Sequence, residues 1–311
     1  MYKGMGLQHV GMGVGSQPTM VEFYQKTLEF TEVFEEFENI WNAMPEAFRY
    51  NPHSFGGGIW GQKAGGIMVE LIWMYVPVSR PIHAKKRYGD LAVNKITIAV
   101  PDAEQFYQDY GGKINFCDTP KTTDVPGLGA YSFVYGADPE GNLIEFASWN
   151  ASGAKGGFGG CTSIGVSVTD LERSLAFYQK YLGFDTIVAE PHEAFSGLVD
   201  EVAEGKGSQV RSCLLANSRG GYAIELFELM KPRGRALGLN TYWGDYGYLE
   251  ICLDNGTESL RELESYYMDE GLEFVHHAFM AEVLEVGEAW FMYLKDPDSV
   301  PVEFLCVFPK S

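Results

Sequence analysis

The chain has 311 residues, 46% of them hydrophobic and 14% aromatic, which supplies side chains for two cores of ordinary domain size. Its formal net charge of -19 opposes binding to nucleic acid or to an anionic membrane surface, since both require basic patches. No apolar run approaches the ~18 residues that span a bilayer; no basic stretch precedes an apolar one at the N-terminus, and the five cysteines include no CxxC pair, so the reading is a soluble cytoplasmic protein with reduced thiols.

Residues 6–14 read as an apolar strand, followed by Ser16, Pro18 and a helical stretch to about Leu28. The run GGIMVELIWM at 65–74 has strand character, and VNKITIAVPD at 93–102 leads into a helix near Phe106 and Tyr110. A further strand pattern, GAYSFVYGAD, covers 129–138, and the Gly/Ala/Ser-rich stretch NASGAKGGFGG at 150–160 reads as a linker. Cys161–Val168 opens the second half, with Asp170 as a helix cap and Leu175, Tyr178 and Leu182 at i, i+3, i+7 spacing. GGYAIELFEL (220–229), YLEICLDNGT (248–257, leading into a helix with Leu260, Leu263 and Tyr267) and AWFMYLKDPD (289–298) complete the order. The glycines at 56–58, 65–66 and 220–221 lack the Lys-Ser/Thr of a phosphate loop and are expected in hairpin turns.

The halves repeat. VEFYQKTLEF at 21–30 returns as LAFYQKYLGF at 175–184, so Phe23 falls on Phe177 at an offset of 154 residues. Gly89-Asp90 returns as Gly244-Asp245, and Asp138-Pro139 as Asp296-Pro297. Each half contains two strand-helix openings followed by short strands, so the recurrent unit is βαβββ, present four times.

The segments LQHVGMGV (7–14) and CTSIGVSVTDLERSLAFYQKYLGF (161–184) resemble the metal-ligand strand and the opening strand and helix of the vicinal oxygen chelate superfamily. That group contains glyoxalase I, bleomycin-resistance proteins, methylmalonyl-CoA epimerases and extradiol dioxygenases. The resemblance spans nearly the whole chain and implies an α+β fold of four βαβββ modules. These form two tandem glyoxalase-like domains, 1–149 and 161–311, each with an open, curled mixed sheet around a cleft. It also implies metal ligands from a His on the first strand of a module and a Glu on its last.

Residue by residue, the last-strand position is Glu70, Glu145, Glu225 and Glu303, each between apolar neighbours. The first-strand position is His9, Lys95, Ser163 and Glu250, so one histidine of four is kept. Pairing of modules within each half would give one cleft with His9, Glu70, Lys95 and Glu145, and another with Ser163, Glu225, Glu250 and Glu303. Pairing of the first and fourth modules would instead offer His9, Glu250 and Glu303 as a ligand set for a harder ion such as Mn²⁺ or Mg²⁺. The cofactor expectation is a divalent metal (Fe, Mn, Zn, Ni or Mg).

Lys95 has three donors and no lone pair, so it stands in a ligand position as a cation. It is expected to neutralise Glu70 and Glu145; the alternative is a base or Schiff-base nucleophile. Glu225, grouped with Glu250 and Glu303, would need a cation, a shared proton or an arginine, for which Arg211 is the nearest candidate. The catalytic candidates are thus Glu70, Lys95, Glu145 and Glu225. Each glutamate also has a plain reading as the solvent-facing member of an alternating strand, and His9 as a hydrogen-bonded strand histidine.

The expected function is metal-assisted proton transfer, as an isomerase, epimerase or lyase, on an oxygenated or aromatic small molecule. A metal-free binding or resistance protein is the competing reading, and a ring-cleaving dioxygenase with ligands from modules 1 and 4 the third. The expected partners are a small-molecule ligand and, at most, a second copy of the chain, with neither nucleic acid nor membrane.

Overall fold

The computed structural model describes residues 4, 6–41, 52–150, 154, 157–236, 242–256, 259–283 and 287–309. The first module consists of β1 (Gly6–Val14), α1 (Gln17–Glu22, continuing as a π-helical turn over Phe23–Thr27), β2 (Phe30–Trp41), β3 (Ser54–Gln62) and β4 (Met68–Val76). The second has β5 (Ala92–Ala99), α2 (Ala103–Tyr110), β6 (Asn115–Phe116), β7 (Lys121–Val125), β8 (Gly129–Ala137) and β9 (Leu143–Trp149). The third has β10 (Cys161–Ser167), α3 (Leu171–Tyr181), β11 (Thr186–His192), β12 (Gln209–Ala216) and β13 (Ala223–Lys231). The fourth has β14 (Gly247–Asp254), α4 (Leu260–Asp269), β15 (Phe274–Val283), β16 (Gly287–Lys295) and β17 (Pro301–Pro309).

Local signals account for the helices. Asp102, Asp170 and Ser259 cap α2, α3 and α4 by accepting from the backbone N–H groups of Gln105, Arg173 and Glu262. Ser16 does not cap α1 in this way; its hydroxyl donates to Thr19, and the Glu140 carboxylate of the second module accepts from Gly15 and Ser16 N–H. The apolar stripes of the helices bury Phe106, Leu175, Tyr178, Leu260, Leu263 and Tyr267 against strand residues such as Val10, Ile96, Ile164 and Ile251 in one continuous core. Each such side chain contributes about 1.5–3 kcal/mol.

Within every module the first and last strands run parallel: β1 with β4, β5 with β9, β10 with β13, β14 with β17. Modules then join through their first strands, antiparallel, and the joins cross between the halves. β1 pairs with β14 and β5 pairs with β10. One curled sheet has the order β15-β16-β17-β14-β1-β4-β3-β2; the other has β11-β12-β13-β10-β5-β9-β8-β6, with β7 against β8.

The expected within-half pairing is therefore corrected, because modules 1 and 4 share one sheet and modules 2 and 3 the other. Charge offers a physical reason. Within-half pairing would set the Lys95 ammonium beside His9 and crowd Glu225, Glu250 and Glu303 together without a counter-charge. Cross pairing gives Lys95 two carboxylates and leaves His9 with three. The glycines at 65–66 and 220–221 do occupy turns with positive φ. Gly56, Gly57 and Gly58 do not; they lie inside β3, where a Cβ would meet Trp73 Nε1 at 2.6 Å, Phe37 Cζ at 2.4 Å and the Trp60 ring at 2.5 Å. Of the expected linker, Gly159 and Gly160 bond back to Ala99 on β5, and residues 151–153 and 155–156 lie outside those described.

Candidate functional site

The cleft face of the first sheet gathers four side chains from four strands: His9 (β1), Glu70 (β4), Glu250 (β14) and Glu303 (β17), all buried. Register brings them there. His9 lies opposite Cys252, Cys252 beside Glu303, and Gly11 between Glu70 and Glu250. The absence of a side chain at Gly11 makes room, because a Cβ would meet Glu250 Oε1 at 2.6 Å. Nε2 of His9 is 3.2 Å from Glu303 Oε2 and 3.5 Å from Glu70 Oε2. Neither contact has hydrogen-bond geometry: among the described residues His9 Nε2, Glu250 Oε2 and Glu303 Oε2 are buried polar atoms without a hydrogen-bond partner.

The other atoms of these groups are held. His9 Nδ1 donates to Gln8 Oε1 at 2.8 Å, which turns Nε2 toward the carboxylates, and the proton on Nε2 is the one a bound cation would displace. Trp243 Nε1 donates to Glu250 Oε1 at 2.9 Å and Tyr293 OH to Glu303 Oε1 at 2.9 Å. Burial and the neighbouring Glu303 and Glu70 push the Glu250 carboxyl well above the ordinary range, and burial likewise raises Glu70 against the pull of His9. Burial draws His9 down, but the Glu303 and Glu70 carboxylates beside Nε2 outweigh it and hold its pKa well above the ordinary imidazole value. Among the described residues no lysine or arginine pairs with these carboxylates, so their mutual repulsion favours the protonated forms.

A divalent cation fits this set. Oxygens of Glu70, Glu250 and Glu303 lie within 4.8 Å of one another, as do donor atoms of His9, Cys252 and Glu303. One imidazole with three carboxylates is a hard donor set, suited to Mn²⁺ or Mg²⁺ more than to a thiophilic ion. Burial and Glu303 hold the Cys252 thiol protonated, which leaves it a weak donor.

The second sheet repeats the frame with two exchanges. Ser163 takes the place of His9 and Lys95 that of Glu250, while Glu225 and Glu145 correspond to Glu70 and Glu303. Lys95 is fully buried; its Nζ is 2.8 Å from Glu225 Oε2 and also bonds Glu145 Oε2. Thr97 donates to Glu145 at 2.8 Å and Ser212 to Glu225 at 2.6 Å. Burial pulls the Lys95 pKa down, but Glu145 and Glu225 outweigh it, so the ammonium is held charged. The expected nucleophilic or basic lysine is disfavoured accordingly, and its predicted partnership with Glu70 is corrected to one with Glu145 and Glu225. Gly165 clears this lysine as Gly11 clears Glu250, with a Cβ there meeting Lys95 Cγ at 2.6 Å. The groove above is filled by the chain itself: Phe195, Val199, Val202 and Ala203 pack on Tyr131, Phe133, Tyr135 and Phe227. Ser163 is buried in register with Thr97. Arg211 lies away from this network and pairs with Glu172 at 2.5 Å.

The sequence singled out His9, Glu70, Glu250 and Glu303 but grouped Glu70 with Lys95 and Glu145, offered His9, Glu250 and Glu303 as a separate set, and gave no sign of Tyr293, of Trp243 as a support, or of Glu35. Glu35 lies on β2 in register with Ile59, which is in register with Glu70, so it shares a row with the cluster. Burial, then Glu70 and Glu303, push its carboxyl up to about 7. The β-periodicity of EVFEEFENI is obscured by bulges in β2, which hid which glutamates face the cleft. His53, just before β3, is buried and stacks on Phe55 at 6.4 Å, and His277 on β15 pairs with Glu264 at the surface.

The model of the Glyoxalase/Bleomycin resistance protein/Dioxygenase superfamily matches residues 6–146 and 161–304. No curated protein matches the chain. Among solved structures, glyoxalase I from Zea mays is similar with a TM-score of 0.60 at 14% identity, covering 97% of this chain and 92% of that one. A putative dioxygenase from Bacillus subtilis subsp. subtilis str. 168 is similar with a TM-score of 0.61 at 14% identity, covering 99% and 87%. At such identities the likeness concerns the fold.

Proposed function

Since the chain belongs to the Glyoxalase/Bleomycin resistance protein/Dioxygenase superfamily, we propose that it is a small-molecule enzyme whose cleft between modules 1 and 4 moves a proton on an oxygenated or aromatic metabolite. Isomerase, epimerase and lyase reactions share that step. The reading is carried by one observation: His9, Glu70, Glu250 and Glu303 converge in a buried cluster with unpartnered acceptor atoms turned together. A divalent cation bound there would polarise substrate oxygens and stabilise the charge that develops when a neighbouring proton leaves.

The chain's own groups divide the remaining work. Glu250 and Glu303 are fixed by Trp243 and Tyr293, so they position. Among the described residues no neutral donor holds Glu70, which keeps 11% of its side chain exposed, against 3% for Glu303. Its pKa, raised by burial, suits a carboxylate that accepts a proton and returns it. Phe55, Ile72, Leu249 and Tyr293 form an apolar wall beside it that limits water. Ring cleavage is the weaker reading, because a facial triad for oxygen chemistry uses two imidazoles and one carboxylate, and this cleft offers one imidazole.

Metal analysis of tag-free protein is the test. Near-stoichiometric Mn²⁺ or another divalent ion is expected, with His9→Ala and Glu250→Gln each weakening it by more than the about 10–100-fold that an outer-shell change costs. Protein that holds no metal and rebinds none would sink the reading. In D₂O, exchange of the α-protons of 2-hydroxyacetophenone, followed by NMR, is expected to fall in Glu70→Gln when compared with wild type at equal, counted Mn²⁺ occupancy; unchanged exchange at equal occupancy would remove Glu70 from the proton step.

A further inference from the structure

The eight strands of the first sheet carry ten acidic residues and one cation, Lys295, at the last position of β16, where it pairs with Glu273 at 3.4 Å. Among the described residues, an aromatic and aliphatic group lies beside the His9 cluster. Phe55, Ile72, Leu249 and Tyr293 form a buried group with Phe37, Met74, Trp243, Phe279 and Phe291 packed on it. The rings stand edge to face or stacked: Phe55 and Trp243 at 5.2 Å, Phe37 and Phe55 at 6.1 Å, Phe279 and Phe291 at 5.4 Å. Both polar tips among them are already spent, Trp243 Nε1 on Glu250 and Tyr293 OH on Glu303.

From this arrangement we infer that the cleft selects an uncharged ligand with an aromatic body and rejects anions, with Glu35 as the residue that sets the charge preference. The inference rests on the proposed metal site for the ligand's oxygens and goes beyond it in naming what the rest of the ligand must be. Three clustered carboxylates and Glu35 outweigh a divalent ion in charge, and among the described residues no lysine or arginine on these strands is placed to receive a carboxylate or phosphate. A second anion entering such a partly buried, low-dielectric cleft is repelled, whereas a neutral ring meets no such repulsion and suits the apolar wall. Glu35 is half-buried on the same row as Glu70, near enough for its carboxyl to feel Glu70, His9 and Glu303.

Catechol and 3,4-dihydroxybenzoate differ by one carboxylate and form the probe pair. Calorimetric titration at pH 7, without oxygen, is run on Mn²⁺-loaded and on metal-free protein. Catechol is expected to bind at least about tenfold more tightly to the Mn²⁺-loaded protein, a factor set by one charge repulsion in a partly buried site, and the preference is expected to shrink in the metal-free protein, where protons offset the carboxylate charge. Glu35→Gln is expected to narrow the ratio and Glu35→Lys to abolish or invert it, while Phe55→Ala weakens both ligands together and leaves the ratio alone. Equal or tighter binding of 3,4-dihydroxybenzoate to Mn²⁺-loaded protein, or failure of catechol to bind it, would overturn the inference. The metal count of the same samples reports separately on the metal site, so a protein that binds Mn²⁺ but shows no preference rejects only the present step.

Discussion

Lys95 illustrates how one residue decides what a cleft is for. Buried between Glu145 and Glu225, it supplies the positive charge that the His9 cluster must obtain from outside. Lys95→Ala would strand two buried carboxylates and is expected to cost about 3–5 kcal/mol at pH 7 in urea denaturation. The pH dependence gives the cause. In the wild type the raised lysine pKa keeps its contribution present through neutral pH, up to and beyond the usual lysine value of about 10.4. In the variant the glutamates' folded pKa values rise above the unfolded value of about 4.3, so the native state binds more protons and stability falls as pH rises from there. The deficit should therefore shrink toward pH 4; a deficit independent of pH would mean that lost packing is the cause. The mirror argument applies to His9, Glu70 and Glu250, which all hold protons more strongly than free side chains. Protons compete with the cation, so Mn²⁺ affinity measured by EPR at pH 8, 7 and 6 is expected to fall at each step. A constant affinity over that range would contradict the donor set.

At the scale of elements, β1 and β10 are the same strand put to two uses. Each has a glycine in register with the long side chain of the neighbouring antiparallel strand, Gly11 with Glu250 and Gly165 with Lys95. A methyl group at either point collides with that side chain at 2.6 Å. Gly11→Ala is expected to displace a metal-facing carboxylate and reduce Mn²⁺ affinity about tenfold or more, comparable to an outer-shell lesion, with little change in the urea midpoint. Gly165→Ala is expected to do the reverse, leaving Mn²⁺ affinity intact and costing about 1–3 kcal/mol by overpacking a buried ion pair. Similar effects of both substitutions on metal binding would show that the clefts are not divided in this way. These glycines were visible in the sequence as a matched pair, yet their purpose was not, because it depends on which strand lies alongside. The helices were easier to read: Asp102 and Asp170 cap within three residues of their partners, and the apolar spacing of Leu175 and Tyr178 faces the core whatever the sheet order.

For the whole molecule, the four-module repeat and the eight ligand-frame positions were legible in the sequence, and the partnership of the modules was not. Any first strand of this fold presents an apolar edge able to pair with any other, so β1 carries no local mark that chooses β14 over β5. The choice is made by charges far apart in the chain: joining β1 to β14 brings Glu250 and Glu303 to His9, and joining β5 to β10 brings Glu225 to Lys95. Each half thus owns half of each cleft. Expressed separately, residues 1–150 would present His9 and Glu70 without Glu250 and Glu303, and residues 161–311 the converse. Neither half alone is expected to bind Mn²⁺ at a His9-dependent site, while co-expressed halves should associate through β1 with β14 and β5 with β10 and regain it. Purification through a tag on one half, followed by metal counting with and without His9→Ala, reads the outcome. Metal bound by the isolated first half in a His9-dependent way would mean that a within-half cleft forms after all, with the Lys95 ammonium beside the imidazole, an arrangement that like-charge repulsion opposes.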